Sequence, residues 1–171
     1  MPTVIQTALI GLVSAAAWTD LRTRRIPNWI TVSGAAAGLV LHVFYGGIPG
    51  AVQSVAGAAL GLAIFLGLYA AGGMGAGDVK LFGAVGAFAG PQSLVLVFVC
   101  TGLLGGIAGV ALALYRGRLQ QTLERTREVF LNMGRMRWQQ LRTSSEAPNS
   151  LRLPYGAVIA GGTLLSLIVL R

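Results

Sequence analysis

Long apolar runs separated by short polar stretches constrain this sequence more than any other feature. Only 11% of the 171 residues are charged, whereas soluble domains carry about 25%. A hydrocarbon core about 30 Å thick is crossed by about 20 helical residues, and lipid offers no partners to unpaired backbone groups. The 25 glycines suit helices packed backbone to backbone in lipid. The sequence therefore predicts an all-α bundle of membrane-spanning helices.

The apolar runs divide into about six predicted transmembrane helices within a single domain, 1–171. A turn at 46–50 separates the second and third runs, and glycines at 72–77 follow the third. The stretch from Val79 to Tyr115 is too long for one crossing, so we divide it at Pro91 into a short fourth helix and a longer fifth. The other predicted runs are Thr3–Thr19, Trp29–Tyr45, Ala51–Ala71 and Leu153–Leu170.

Positive charge is unevenly distributed and predicts the orientation of the bundle. With the N-terminus outside, the cytoplasmic loops hold the three arginines of 22–25, Lys80 and the Arg-rich segment 116–152, while the outside turns hold no Lys or Arg. We interpret 116–152 as a cytoplasmic basic amphipathic segment at the bilayer surface, with a partly disordered loop as the alternative. Anionic lipid, rather than nucleic acid, is the expected partner of this charge. The first run lacks the basic start of a cleavable signal peptide, so we predict a retained helix.

Two of the five acidic residues border apolar helices. Asp20 follows the first run and Asp78 opens the fourth, both at predicted cytoplasmic ends, whereas the three glutamates fall in the polar segment. Acids at membrane depth are costly and are functional candidates. Two carboxyls about 3 Å apart cannot both ionise easily. One can then take a proton from water while the other polarises a carbonyl. The alternative is a helix-end role, which suits Asp78 at a helix N-terminus but not Asp20 at a C-terminus.

A glycine-rich stretch precedes the second aspartate. Gly75 and Gly77 could let a substrate backbone approach the acid closely, although Gly-x-Gly-Asp alone is a weak pattern. Lys80 could either tune the site electrostatically or mark the cytoplasmic boundary. The single cysteine and single histidine, Cys100 and His42, predict no metal site. We expect no cofactor and assign His42 a packing or interfacial role.

Three blocks together resemble the type IV prepilin peptidases. The first is Asp-Leu-Arg-Thr-Arg-Arg-Ile-Pro-Asn at 20–28, the second is Gly-Met-Gly-Ala-Gly-Asp-Val-Lys-Leu at 73–81, and the third is Leu-Pro-Tyr-Gly at 153–156. Each block is similar to a family motif, and their order and spacing agree with the family.

The resemblance implies an intramembrane aspartyl protease with Asp20 and Asp78 as the catalytic pair. It implies cleavage of the leader from a prepilin or pseudopilin at the cytoplasmic face of a bacterial or archaeal inner membrane. Many members have paired Cys-x-x-Cys motifs in an N-terminal insert, whereas this sequence has a single cysteine. In this respect the sequence resembles the short, peptidase-only branch of Flp or tight-adherence pili. Residues expected to bind substrate or shape the site are Gly75, Gly77, Lys80, Pro154, Tyr155 and Gly156.

Two other functions are open to a chain of this kind. A small proton-coupled transporter could relay protons through the two aspartates, although such sites usually lie near the midplane of the bilayer. A non-enzymatic scaffold of a pilus or secretion platform would tolerate conservative replacement of either acid.

The predicted orientation can be tested by cysteine labelling. In a Cys100→Ser background, single cysteines at Arg25 and Ser144 should be shielded from an impermeant reagent in intact cells, because both lie in predicted cytoplasmic loops. A cysteine at Gly47 should react. Reversed labelling would place the two aspartates on the outer side.

Overall fold

The computed structural model describes residues 2–70, 74–115 and 154–169, and nearly all of them are helical. The helices are α1 (Thr3–Thr23), α2 (Asn28–Ala70), α3 (Ala76–Tyr115) and α4 (Tyr155–Val169). The described ranges contain no strand, and the predicted all-α bundle is confirmed. The Arg-rich segment 116–152 lies outside the described residues, so its conformation stays a prediction.

Helix length and composition fit a membrane protein. α1, α2 and the Ala76–Leu112 part of α3 are each long and apolar enough to cross a bilayer, and α4 is a shorter apolar helix. Large apolar side chains lie on the outer surface, such as Phe44 and Ile48, which are 80% and 82% exposed. In lipid these side chains lose nothing by exposure. The predicted number of crossings stays a prediction.

Two sharp breaks divide α2 and α3 near the predicted positions. Gly47 has φ 58° and ψ −142° and is followed by Pro49, and Gly90 has φ 70° and ψ 167° and is followed by Pro91. Both glycines occupy a region that side chains disfavour. Gly50 lies against the backbone of His42, although eight residues of straight helix span about 12 Å. The chain therefore folds back at 47. We name the first and second arms of α2 (28–46, 48–70) and of α3 (76–89, 91–115).

The first arm of α3 forms the centre of the bundle, and every residue from 81 to 90 is buried. Both arms of α2 approach it through glycine. A Cβ on Gly38 would lie 3.1 Å from Phe88, one on Gly61 would lie 2.7 Å from the Phe82 carbonyl oxygen, and Gly57 meets the backbone of Gly86. Close approach of this kind supplies the dispersion contacts that hold helices together in lipid. The ring of Phe82 also stacks on Phe65 with centroids 3.9 Å apart.

Side chains of α2 satisfy two carbonyls at the α3 break. Pro91 has no N–H, so the Ala87 carbonyl four residues earlier loses its helical donor. The Ser54 hydroxyl donates to that oxygen at 2.8 Å. His42 Nε2 lies 2.9 Å from the Phe88 carbonyl oxygen, which can only accept, so Nε2 carries the proton. His42 is therefore a structural donor at the break, far along α2 from Asn28.

α1 extends one turn beyond the apolar run predicted to end at Thr19. It ends at Thr23, and Arg24 then adopts a left-handed conformation with φ 51°. The polar end of α1 is held locally, because the Arg22 guanidinium lies 4.2 Å from the centroid of the Trp18 ring. Asp20 therefore lies inside the last turn of α1 and not in the polar stretch after it.

The glycine contact between α2 and α3 generates a stability prediction. Gly86→Ala would drive a Cβ into the backbone of Gly57, and overpacking of this kind costs about 1–3 kcal/mol. Gly67→Ala is the matched control, because nothing lies within 4 Å of its Cβ position and alanine favours helix. In thermal unfolding in detergent, the midpoint of Gly86→Ala should be lower than that of the wild type. The midpoint of Gly67→Ala should not be lowered. Equal midpoints would contradict the packing described here.

Candidate active site

Asp20 is the last residue of the buried face of α1. Its side chain is 6% exposed, and it continues a stripe at spacings of three and four residues, which place side chains on one face of a helix. The other members of the stripe are apolar and face the core: Ile5, Leu9, Val13 and Ala16. The carboxyl group is therefore directed into the bundle.

The N-terminus of α4 holds the Asp20 carboxyl group. The backbone N–H of Gly156 donates to Asp20 Oδ2 at 2.8 Å, in a buried bond between residues 136 apart in the chain. Gly156 lies in the first turn of α4, where N–H groups lack helical partners and the helix dipole favours negative charge. We predicted no helix-end role for Asp20, because it lies at the C-terminal end of α1. That prediction was wrong, because the helix end belongs to α4.

Asp78 lies in the first turn of α3 and is 9% exposed. Its Oδ2 accepts the N–H of Gly75 at 3.1 Å, while the Gly75 carbonyl accepts the Asp78 N–H, also at 3.1 Å. This reciprocal pair is typical of a helix start stabilised by a carboxylate in the first turn. The helix-end role considered from the sequence is therefore present at Asp78, and it uses only one of the two carboxyl oxygens.

Three helix ends bring the predicted residues together. Asp20 of α1 is near enough to Asp78 of α3 for electrostatic interaction, and so is Tyr155 of α4. Among the described residues, the hydrogen bonds of both carboxyl groups go to Oδ2. Within the same ranges, the Oδ1 atom of each group has no protein donor.

Glycine allows α4 to approach Asp20. A Cβ on Gly156 would lie 2.9 Å from both Cβ and Oδ2 of Asp20, and one on Gly75 would lie 3.3 Å from Asp78 Oδ2. Gly77 is less restricted, since its Cβ would lie 3.4 Å from Ile26, an ordinary contact. Pro154 precedes α4, and its carbonyl accepts the N–H of Ala157 at 3.1 Å. The predicted site-shaping residues thus lie at the starts of α3 and α4.

Lys80 is exposed, and its recorded hydrogen bond does not involve an aspartate. Its Nζ donates to Oδ1 of Asn28, the first residue of α2, at 2.9 Å. The role of Asn28 was not predicted, because a pairing between residues 52 apart in the sequence leaves no local signal. The one signal for Asn28 is its place in the first motif block, 20–28. Within the described ranges, His, Cys, Asp and Glu side chains form no cluster of three that could hold a metal ion.

Comparison with known proteins gives one consistent family. The profile of the type IV leader peptidase family matches residues 7–110, which include both aspartates. The prepilin leader peptidase/N-methyltransferases of Aeromonas salmonicida (strain A449) and Bacillus subtilis (strain 168) are 33% and 37% identical to this chain over 119 residues. These alignments cover 66% and 64% of this chain and 40% and 44% of the relatives. The chain thus spans about two fifths of the relatives' length. No solved structure gives a significant match.

Proposed function

The chain belongs to the type IV leader peptidase family, and we propose that it is an intramembrane aspartyl endopeptidase that removes the leader peptide of prepilins. The observation that carries the proposal is the position of two buried acids, Asp20 in the last turn of α1 and Asp78 in the first turn of α3. These two helix ends adjoin, because Ile26 of the connection after α1 packs on Gly77. A pair of carboxyls that share a proton suffices for peptide hydrolysis without a covalent intermediate.

In the proposed reaction, water lies between the two carboxyl groups. The ionised aspartate takes a proton from this water, whose oxygen attacks the scissile carbonyl carbon, while the protonated aspartate donates its proton to the carbonyl oxygen. The tetrahedral intermediate then collapses as the aspartate that took the water's proton gives it to the departing amine. The other aspartate takes back a proton from a hydroxyl group of the intermediate, which restores the starting state of the pair. The backbone bonds at Oδ2 of each group hold the carboxyls in place, which supports reaction through the two Oδ1 atoms.

The names of the relatives support a substrate class, and the charge pattern supports a placement of the site in the membrane. The relatives are named prepilin leader peptidase/N-methyltransferase. The motif blocks resemble the prepilin peptidases, and the single cysteine resembles the short branch of Flp or tight-adherence pili. We therefore assign Flp-type prepilins or pseudopilins as substrates. The arginines at 22–25 and Lys80 support cytoplasmic placement of the site in an inner membrane, with the N-terminus outside. Gly75 and Ala76, beside Asp78, are exposed, which gives an extended leader a surface to reach the acids.

Cleavage of a candidate Flp-type prepilin by the purified protein in membranes tests this function. Wild-type protein should release the leader, and sequencing the new N-terminus should give a single cleavage point. Asp20→Asn and Asp78→Asn should each abolish cleavage while keeping the fold, because the amide oxygen can still accept the backbone N–H but cannot exchange the proton. Glu124→Gln is the matched control and should cleave normally.

Two results would contradict the proposal. One is substantial cleavage by either aspartate variant at matched protein level, which would remove that residue from the pair. The other is wild-type protein that fails to cleave prepilins of either the Flp type or the longer type IV class.

Gly156→Ala should impair cleavage although residue 156 carries no reactive group. The added methyl would lie 2.9 Å from the Asp20 carboxyl, so the acid must shift, and misplacement by about 1 Å can cost about 10²-fold in rate. Gly161→Ala is the matched control on α4, because its methyl meets only the flexible end of Leu104 at 3.3 Å. The two rates should be compared at equal folded protein. Equal rates would mean that α4 does not position Asp20.

A further inference from the structure

We infer that the hydrogen bond from Lys80 to Asn28 is a latch that sets the position of Asp78 relative to Asp20. The inference rests on the proposed function and assigns Lys80 and Asn28 as positioning residues. The sequence left open whether Lys80 tunes the site electrostatically or marks the cytoplasmic boundary. The observed contact favours a third role, because it joins the starts of two helices through an amide oxygen and is not an ion pair with an acid.

The two aspartates need such a device because their helices share little direct contact. α1 packs mainly on α4 and α2, while α3 packs mainly on α2 and α4. The separation of Asp20 from Asp78 is therefore fixed through intermediaries. One is the start of α4, which holds Asp20 through Gly156. The start of α2 is another candidate, and it is joined to α1 by the short connection 24–27.

The connection 24–27 is fastened at both ends. At the α1 end, the N–H of Arg24 donates to the carbonyl oxygen of Asp20 at 2.8 Å. Toward α2, Ile26 lies against Gly77, the residue before Asp78. Asn28 then accepts the Lys80 ammonium at 2.9 Å. Ile26 and Asn28 thus contact α3 on either side of Asp78 in the sequence, at Gly77 and Lys80.

If Lys80 acts as a point charge, the variants that slow cleavage differ from those that slow it if Lys80 acts through its hydrogen bond to Asn28. If Lys80 acted through its charge, Asn28→Ala would be harmless, since the ammonium would remain. If the hydrogen bond acts as a latch, Asn28→Ala and Lys80→Met should each slow cleavage about tenfold, in kcat more than in KM, because ångström-scale misplacement affects the reacting geometry. Partners in one interaction are not additive, so the double variant should be no slower than the slower single. Lys80→Arg, which keeps a donor, should retain most activity.

Ser33→Ala is the matched control. Its hydroxyl is exposed near the same end of α2, and among the described residues it donates within α2 alone, to the carbonyls of Trp29 and Ile30. It removes a side-chain hydrogen bond without affecting α3 and should cleave at the wild-type rate.

A covalent replacement separates geometry from charge. In a Cys100→Ser background, Asn28→Cys/Lys80→Cys should be slow until the two thiols are joined by a bifunctional linker about as long as a lysine side chain. Linking should restore cleavage although no ammonium is present. Persistent slow cleavage by the fully linked protein would overturn the latch.

A distance measurement tests the latch without any cleavage assay. A negative result would therefore count against the latch and not against the proposed function. Spin labels at Leu21 and Ala76, both exposed, report the separation of the two helix ends that carry the acids. Asn28→Ala and Lys80→Met should broaden or shift the distance distribution, and Ser33→Ala should leave it unchanged. Unchanged distributions in both latch variants would overturn the inference whether or not the protein cleaves prepilins.

Discussion

A buried carboxyl group in an apolar helix bundle must find hydrogen-bond donors within the protein, and the arrangement of this bundle follows from that requirement. Asp20 takes its donor from the backbone of Gly156, at the start of α4, and Asp78 takes its donor from Gly75, at the start of α3. Helix N-termini offer both unpaired N–H groups and a favourable dipole. Bringing the ends of α1, α3 and α4 to one place therefore stabilises two acids that would otherwise be costly to bury.

The close packing of the helices makes this convergence possible. Gly57 and Gly86 let the second arm of α2 touch the buried first arm of α3, and Gly156 leaves room for Asp20. The break at Pro91 frees carbonyls deep in the bundle, and Ser54 and His42 supply their donors. The same helices that bury the acids thus also satisfy the backbone groups that the turns expose.

The sequence predicted those features that depend on local chemistry. The apolar runs predicted helices, and glycine with proline predicted the breaks near Gly47 and Pro91, because these residues alter backbone conformation wherever they occur. The end of α1 was misplaced, because a hydropathy run ends at the first polar residues whereas the helix continues through them. The Gly156–Asp20 and Lys80–Asn28 bonds could not be predicted, since each depends on how distant helices pack.

The central claim is that Asp20 and Asp78 act as one catalytic unit, and the residual cleavage rate of the double variant tests it most directly. Groups that act together are strongly non-additive in their kinetics. At matched protein levels and with measurable residual rates, Asp20→Asn/Asp78→Asn should cleave prepilin no more slowly than the slower single variant. A double variant slowed by the product of the two single defects would show that the aspartates act independently and would contradict a shared site.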